Sequence, residues 1–119
     1  MQETILVVED EAAVRQLAVQ ALTRAGYRVH QARDGLEAVH VFDEHGDTID
    51  LLLTDIRMPH MSGAELAHYL RARRPAVKLL CISGYADHET QTLDAAILAK
   101  PFSLDTLLTK VRQVLDTHT

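Results

Sequence analysis

Apolar residues fall in five short runs along the chain, and amphipathic stretches separate them. "TILVV" (4–8), "IDLLLT" (49–54), "VKLLCI" (77–82) and "AILA" (96–99) have the length and near-continuous apolar character of strands buried on both faces. "YRVHQA" (27–32) is more polar and reads as a strand nearer a sheet edge. Between these runs the period changes. Residues 11–25 set Val14, Leu17, Ala18, Ala21, Leu22 and Ala25 on one helical face, and Gly26 closes the helix. "DGLE" (34–37) supplies an Asp N-cap with a Glu three residues on, ahead of Ala38, Val41 and Phe42. "SGAE" (62–65) is a second capping box, and its helix stops before Pro75. A weak, short helix fills 87–94, and Ser103 caps a last helix with Leu104, Leu107, Leu108, Val111 and Leu115 inward. The sum is (βα)5, an α/β fold. Such alternation predicts a doubly wound parallel sheet with helices on both faces and right-handed crossovers.

Size and charge narrow this further. The 119 residues suit one domain spanning 1–119 with one core. Hydrophobic residues make up 47% and charged residues 24%, the balance of a globule rather than a disordered segment. No run approaches the ~18 apolar residues of a membrane span, and no secretory leader is visible, so a cytoplasmic location is expected with no membrane partner. The net charge is −5, and "RARR" at 71–74 reads as a solvated helix end, so nucleic acid is not an expected ligand. Cys81 lies in an apolar run as a small buried hydrophobe. The seven histidines lack metal-ligand spacing and read as surface residues.

The residues that end the strands carry the chemistry. Glu9, Asp10 and Glu11 follow the first strand, Asp55 the third, Ser83 the fourth and Lys100 the fifth. In an open α/β sheet all of these lie at the carboxyl edge, where ligands bind. Strand two, ending in Gln31-Ala32, offers nothing obvious. Singly, each has an ordinary reading: acids beside a helix N-terminus, a loop acid, a turn former, a solvated charge. Their joint placement at one edge is what those readings explain poorly. Two carboxylates about 4 Å apart repel by about 4 kcal/mol at an effective dielectric constant near ~20. An oxygen-rich anionic pocket of this kind suits Mg2+, which uses one or two carboxylates and completes its shell with water and phosphate. Asp55 is then placed to attack a phosphoryl group and form an acyl phosphate, while the cation and Lys100 neutralise the phosphoryl oxygens.

With these residues in hand, the chain resembles a response-regulator receiver domain of two-component signalling over essentially its whole length. "ILVVEDE" is similar to the family's first strand with its acidic pair, "DIRMPHMSG" to the phosphoacceptor loop, "ISGYA" to the switch hydroxyl and "AKPF" to the lysine-proline turn. The resemblance implies a flavodoxin-like sheet of order 2-1-3-4-5. It implies that Asp55 is the phosphoacceptor and that Asp10 and Asp55 bind Mg2+ directly. Glu9 would act through water and Arg57 through its backbone carbonyl. Ser83 would move to bond the phosphoryl oxygen, Lys100 would pair with Asp55 or its phosphate, and the Lys100-Pro101 bond would be cis. The donor would be a phosphohistidine on a histidine kinase or histidine phosphotransfer domain, with Arg57 and Tyr85 flanking the entrance. The domain would signal by conformational change at Ser83 and Lys100 rather than act as a stand-alone enzyme.

Two departures qualify the match. Ile97 stands where the family commonly has a switch Tyr or Phe, so an aromatic switch there cannot operate, and Tyr85 is the candidate to replace it. The segment from Ser83 to Lys100 is short by about five residues, less than two helical turns, so the helix before strand five is shortened or missing. A phosphorylation-driven dimer through that face is therefore not expected, and the output partner is open. "ETILVVEDEAAVRQLA" resembles the join found in hybrid histidine kinases, which favours that origin over a stand-alone regulator. Two rivals remain: a Mg2+-dependent phosphohydrolase with an aspartyl-phosphate intermediate, and a degenerate receiver that only docks. The first wants an acid where Arg57 stands; the retained acids, Ser83 and Lys100 oppose the second. Five scattered glycines never form a nucleotide-binding loop.

Overall fold

Alternation along each strand decides which layer a side chain joins. In the computed structural model, which describes residues 3–58, 61–84 and 96–117, β1 (Thr4–Val8), β2 (Arg28–Ala32), β3 (Leu51–Asp55), β4 (Lys78–Ser83) and β5 (Ala96–Ala99) form one sheet. The order is β2-β1-β3-β4-β5 and every pairing is parallel. Leu6, Val8, Leu52, Leu79 and Cys81 face α2 (Gly35–His45) and α3 (Gly63–Arg73), in a layer that also holds Phe42, Leu66 and Leu70. Ile5, Val7, Leu51, Leu53, Leu80 and Ile82 face α1 (Ala12–Arg24) and α4 (Leu104–Asp116), with Leu22, Leu107 and Val111. The polar run at 27–32 does lie at a sheet edge, as β2. The proposed helix over 87–94, its shortening, and Tyr85 lie outside the described residues.

The helix starts follow from their caps. Ser62 accepts from the Glu65 N–H at 3.1 Å and Glu65 Oε1 accepts from the Ser62 N–H at 3.3 Å, a complete capping box. Asp34 accepts from the Glu37 N–H at 2.8 Å, but the Glu37 side chain turns to the Arg33 N–H instead, so only half of the box at 34–37 forms. Gly26 takes φ +103° just beyond α1, a conformation costly for any residue with a Cβ.

Two expectations are corrected. Leu17, read as inward, is 54% exposed, and Leu104 is 46% exposed. The apolar stripes of α1 and α4 are wider than the strip of sheet each covers. The excess lines a groove between them with Val14, Phe102 and Leu107. Asp55 and Ser83 were placed after their strands but are their last residues. Ladder bonding carries on past Asp55, since the Ile56 N–H donates to the Ile82 carbonyl at 3.2 Å.

Helix α3 packs directly on the backbone that carries Asp55. The Gly63 N–H donates to the Ile56 carbonyl at 2.8 Å, and a Cβ at Gly63 would lie 2.4 Å from the Asp55 carbonyl oxygen and 2.9 Å from Ile56 Cα. Both obstacles are main chain, so relief requires backbone movement at Asp55. Gly63→Ala should destabilise the fold by about 1–3 kcal/mol, read as a lower urea midpoint. An unchanged midpoint would show that α3 can retreat freely.

Candidate functional site

The strand order reverses between β1 and β3, and there the polar strand ends meet. The β1–β3 register matches Val8 with Thr54, so the next residues along each strand, Glu9 and Asp55, emerge side by side. Among the described residues, Glu9, Asp10 and Asp55 each offer a carboxylate oxygen within 4.8 Å of the other two. Lys100, just beyond β5, reaches across the edge. Its Nζ lies 2.9 Å from Asp55 Oδ2, 3.4 Å from Glu11 Oε1 and 3.5 Å from Glu9 Oε2. Asp55 Oδ1 accepts from the Arg57 backbone N–H at 3.1 Å. Ser83 is buried at the end of β4, and its hydroxyl donates to the Gly84 carbonyl at 3.1 Å. The Ser83 carbonyl accepts from the Lys100 N–H at 2.9 Å, which ties the hydroxyl strand to the lysine. The Lys100-Pro101 bond is cis.

Burial and charge are opposed here. Glu9 is fully buried and Asp55 is 5% exposed. Glu9 Oε1 accepts from the Glu11 N–H at 3.1 Å, but Oε2 has no hydrogen-bond partner; its 3.5 Å approach to Lys100 is a contact of charges only. Desolvation on burial, followed by the charge of Asp55, pushes Glu9 up from 4.5 to about 7, against the pull of the Glu11 N–H. For Lys100, burial acts downward. The bond to Asp55 and the charges of Asp55 and Glu9 outweigh it, so the ammonium is held above its ordinary range.

The residues fit a hard divalent cation. All three acids offer oxygen, and the buried, unsatisfied Glu9 Oε2 is an atom that a cation or its water would satisfy. Most of the residues expected at the site are thus brought together: Glu9, Asp10, Asp55 and Lys100 directly, and Ser83 through the backbone. Arg57 contributes its N–H to Asp55.

Several participants escaped sequence reasoning. Glu11 was one acid of a run and proves to be a partner of Lys100. Strand β2, expected to offer nothing, supplies the Ala32 carbonyl that accepts from the Glu9 N–H at 3.1 Å. Arg15 donates to the Glu9 carbonyl at 2.8 Å and to Gln31 Oε1 at 3.3 Å. A carbonyl acceptor leaves no trace in residue type; Arg15, on the first turn of a helix beside acids, was the only available signal.

Comparison with known proteins identifies the family. A family model for the response regulator receiver domain matches residues 5–112. The chain belongs to that family. The receiver is 42% identical over 118 residues to sensor kinase CckA of Brucella abortus, covering 95% of this chain and 12% of that protein. It is 36% identical over 116 residues to the response regulator receiver protein CpdR of the same organism, covering 93% of this chain and 95% of that one. Among solved structures, a response regulator receiver protein from Sinorhizobium medicae superposes with a TM-score of 0.88 at 33% identity, covering 98% of this chain and 96% of that one. The chemotaxis protein CheY4 of Vibrio cholerae gives 0.86 at 28% identity, covering 96% and 99%. Among the described residues of the receiver, no helix is long and apolar enough to cross a membrane.

The strained acid yields a prediction. Because Glu9 holds its proton more tightly in the folded state than at 4.5, its ionisation destabilises the fold progressively as pH rises from 4.5 through about 7. A rise of that size is on the order of 3 kcal/mol. Without divalent cations, Glu9→Gln should therefore raise the urea midpoint at pH 8 and leave it nearly unchanged at pH 4. A midpoint at pH 8 equal to or below that of the unaltered protein would contradict this.

Proposed function

We propose that this receiver takes a phosphoryl group from a phosphohistidine onto Asp55, with Mg2+ held at the acid cluster, and signals through the change this forces at Ser83 and Lys100. The observation that carries the reading is the 2.9 Å contact between Lys100 Nζ and Asp55 Oδ2, made across separate strand ends beside two further acids. Bound Mg2+ supplies charge neutralisation at the phosphoryl oxygens. Asp10 and Asp55 would hold it directly, with the Arg57 carbonyl, and Glu9 would act through water. An Asp55 carboxylate oxygen attacks phosphorus in line, the P–N bond to the donor histidine breaks, and the imidazole leaves. The strand and the Arg57 N–H hold the nucleophile still, so little reorganisation accompanies attack. Lys100 then meets a phosphoryl oxygen instead of a bare carboxylate, and the Ser83 hydroxyl turns from the Gly84 carbonyl towards the same group.

The donor is a histidine kinase or a histidine phosphotransfer domain. The groove lined by Val14, Leu17, Phe102 and Leu104 opens beside Lys100, which suits an apolar helix bearing the histidine. Acting on a cytoplasmic donor, the receiver is a signalling module rather than a stand-alone enzyme. Likeness to the receiver domain of hybrid histidine kinase CckA, at 35% identity and TM-score 0.82 over 95% of this chain and 99% of that one, supports origin within such a kinase.

Labelling with acetyl phosphate tests the reading. The unaltered protein should gain one acid-stable, base-labile phosphoryl group in the presence of Mg2+, and chelation should suppress the reaction. Asp55→Asn should abolish labelling, and Lys100→Ala should slow it about 100-fold, as loss of one preorganised charge does. Mass spectrometry after borohydride reduction would locate the acceptor; undiminished labelling of Asp55→Asn would move it elsewhere.

A further inference from the structure

Strand β2 places no side chain in the acid cluster, yet it is bound to that cluster directly, through the Ala32 carbonyl, and again through one arginine. Glu9 lies where the chain leaves β1 and turns towards α1. Its backbone is gripped on both sides: the N–H by the Ala32 carbonyl at 3.1 Å, the carbonyl by Arg15 Nη1 at 2.8 Å. The same guanidinium donates through Nε to Gln31 Oε1 at 3.3 Å, and the Arg15 backbone N–H is fixed on the Glu11 carbonyl at 2.9 Å. One half-buried side chain thus spans from α1 to the end of β2 by way of the Glu9 carbonyl. The Glu9–Asp10 peptide is planar, so holding the Glu9 carbonyl also fixes where the Asp10 nitrogen and Cα lie. Asp10 itself is exposed.

We propose that Arg15, anchored by Gln31, is a positioning residue for divalent-cation binding: it fixes the Glu9–Asp10 peptide so that both acids present oxygen to the same ion. The proposal rests on reading Glu9, Asp10 and Asp55 as the Mg2+ site. As a charge, Arg15 works against that site, because a guanidinium close to the acids competes with the ion for them. As a brace it works for the site. Its planar fork carries separate donors aimed at two acceptors, which an ammonium does not reproduce. The two effects have opposite signs, and this makes them separable.

The test is a Mg2+ titration followed by backbone amide NMR, which also reports whether each variant is folded. It compares the unaltered protein with Arg15→Ala, Gln31→Ala and the double variant. Arg15→Ala should bind Mg2+ about tenfold more weakly, the lower end of what groups that orient metal ligands contribute. Gln31→Ala, which changes no charge, should weaken binding by less, and the double variant should be no weaker than Arg15→Ala. Tighter binding by folded Arg15→Ala would reduce the residue to its charge, and unchanged binding to a purely structural role; either overturns the proposal. If Arg15→Ala does not fold, Gln31→Ala decides, and affinity equal to the unaltered protein overturns it. A double variant weaker than Arg15→Ala overturns the anchoring role of Gln31. Failure of the unaltered protein to bind Mg2+ is a different result, which removes the metal site itself and the proposal with it.

Discussion

Mutual repulsion of carboxylates is the constraint around which this molecule is arranged. Glu9, Asp10 and Asp55 approach within 4.8 Å, two of them buried, and Glu11 stands nearby. Left alone, such a cluster would spread or take up protons. The fold prevents spreading by rooting Glu9 and Asp55 in adjacent, register-locked strands. It limits the charge by bringing Lys100 from the far side of β4 against three acids. One ammonium cannot balance them all, and the shortfall is visible as the buried Glu9 oxygen without a hydrogen bond. A site that is short of positive charge is a site ready for a cation, and through the cation for an anionic phosphoryl group.

The rest of the structure keeps this arrangement from relaxing. Side chains on both faces of the sheet are closely packed, so β1 and β3 cannot slide to separate the acids. Gly63 lets α3 press on the Asp55 carbonyl, and Arg15 clamps the Glu9 carbonyl from the opposite layer. Main-chain contacts thus fix the acids from both layers, in addition to the bonds of Asp55 with Lys100 and the Arg57 N–H, and Glu9 Oε2 is the buried oxygen left without a hydrogen bond.

Much of this was legible in the residues, and the reason is geometrical. Five apolar runs alternating with helical periodicity leave few topologies open, and in a parallel sheet every residue that ends a strand must lie at one edge. Asp55, Ser83 and Lys100 could thus be placed together before any coordinates. Leu17 was misplaced because a helical stripe reports apolar residues, not how much surface is available to cover them. The half-formed box at Asp34 and the contribution of β2 were invisible for a related reason. Both depend on where a neighbouring backbone group lies, and sequence spacing does not record that. Ile97, which stands where the family commonly carries an aromatic residue, is half-buried against the α2–α3 layer.

The most direct measurement is a crystal structure of the receiver grown with Mg2+ and beryllofluoride, which bonds to a carboxylate as a phosphoryl group does. The account predicts beryllium on an Asp55 oxygen, the cation among the oxygens of Glu9, Asp10 and Asp55, and Lys100 turned to a fluorine. Beryllofluoride on another side chain, or Asp55 still paired with Lys100 and no cation among the acids, would contradict it.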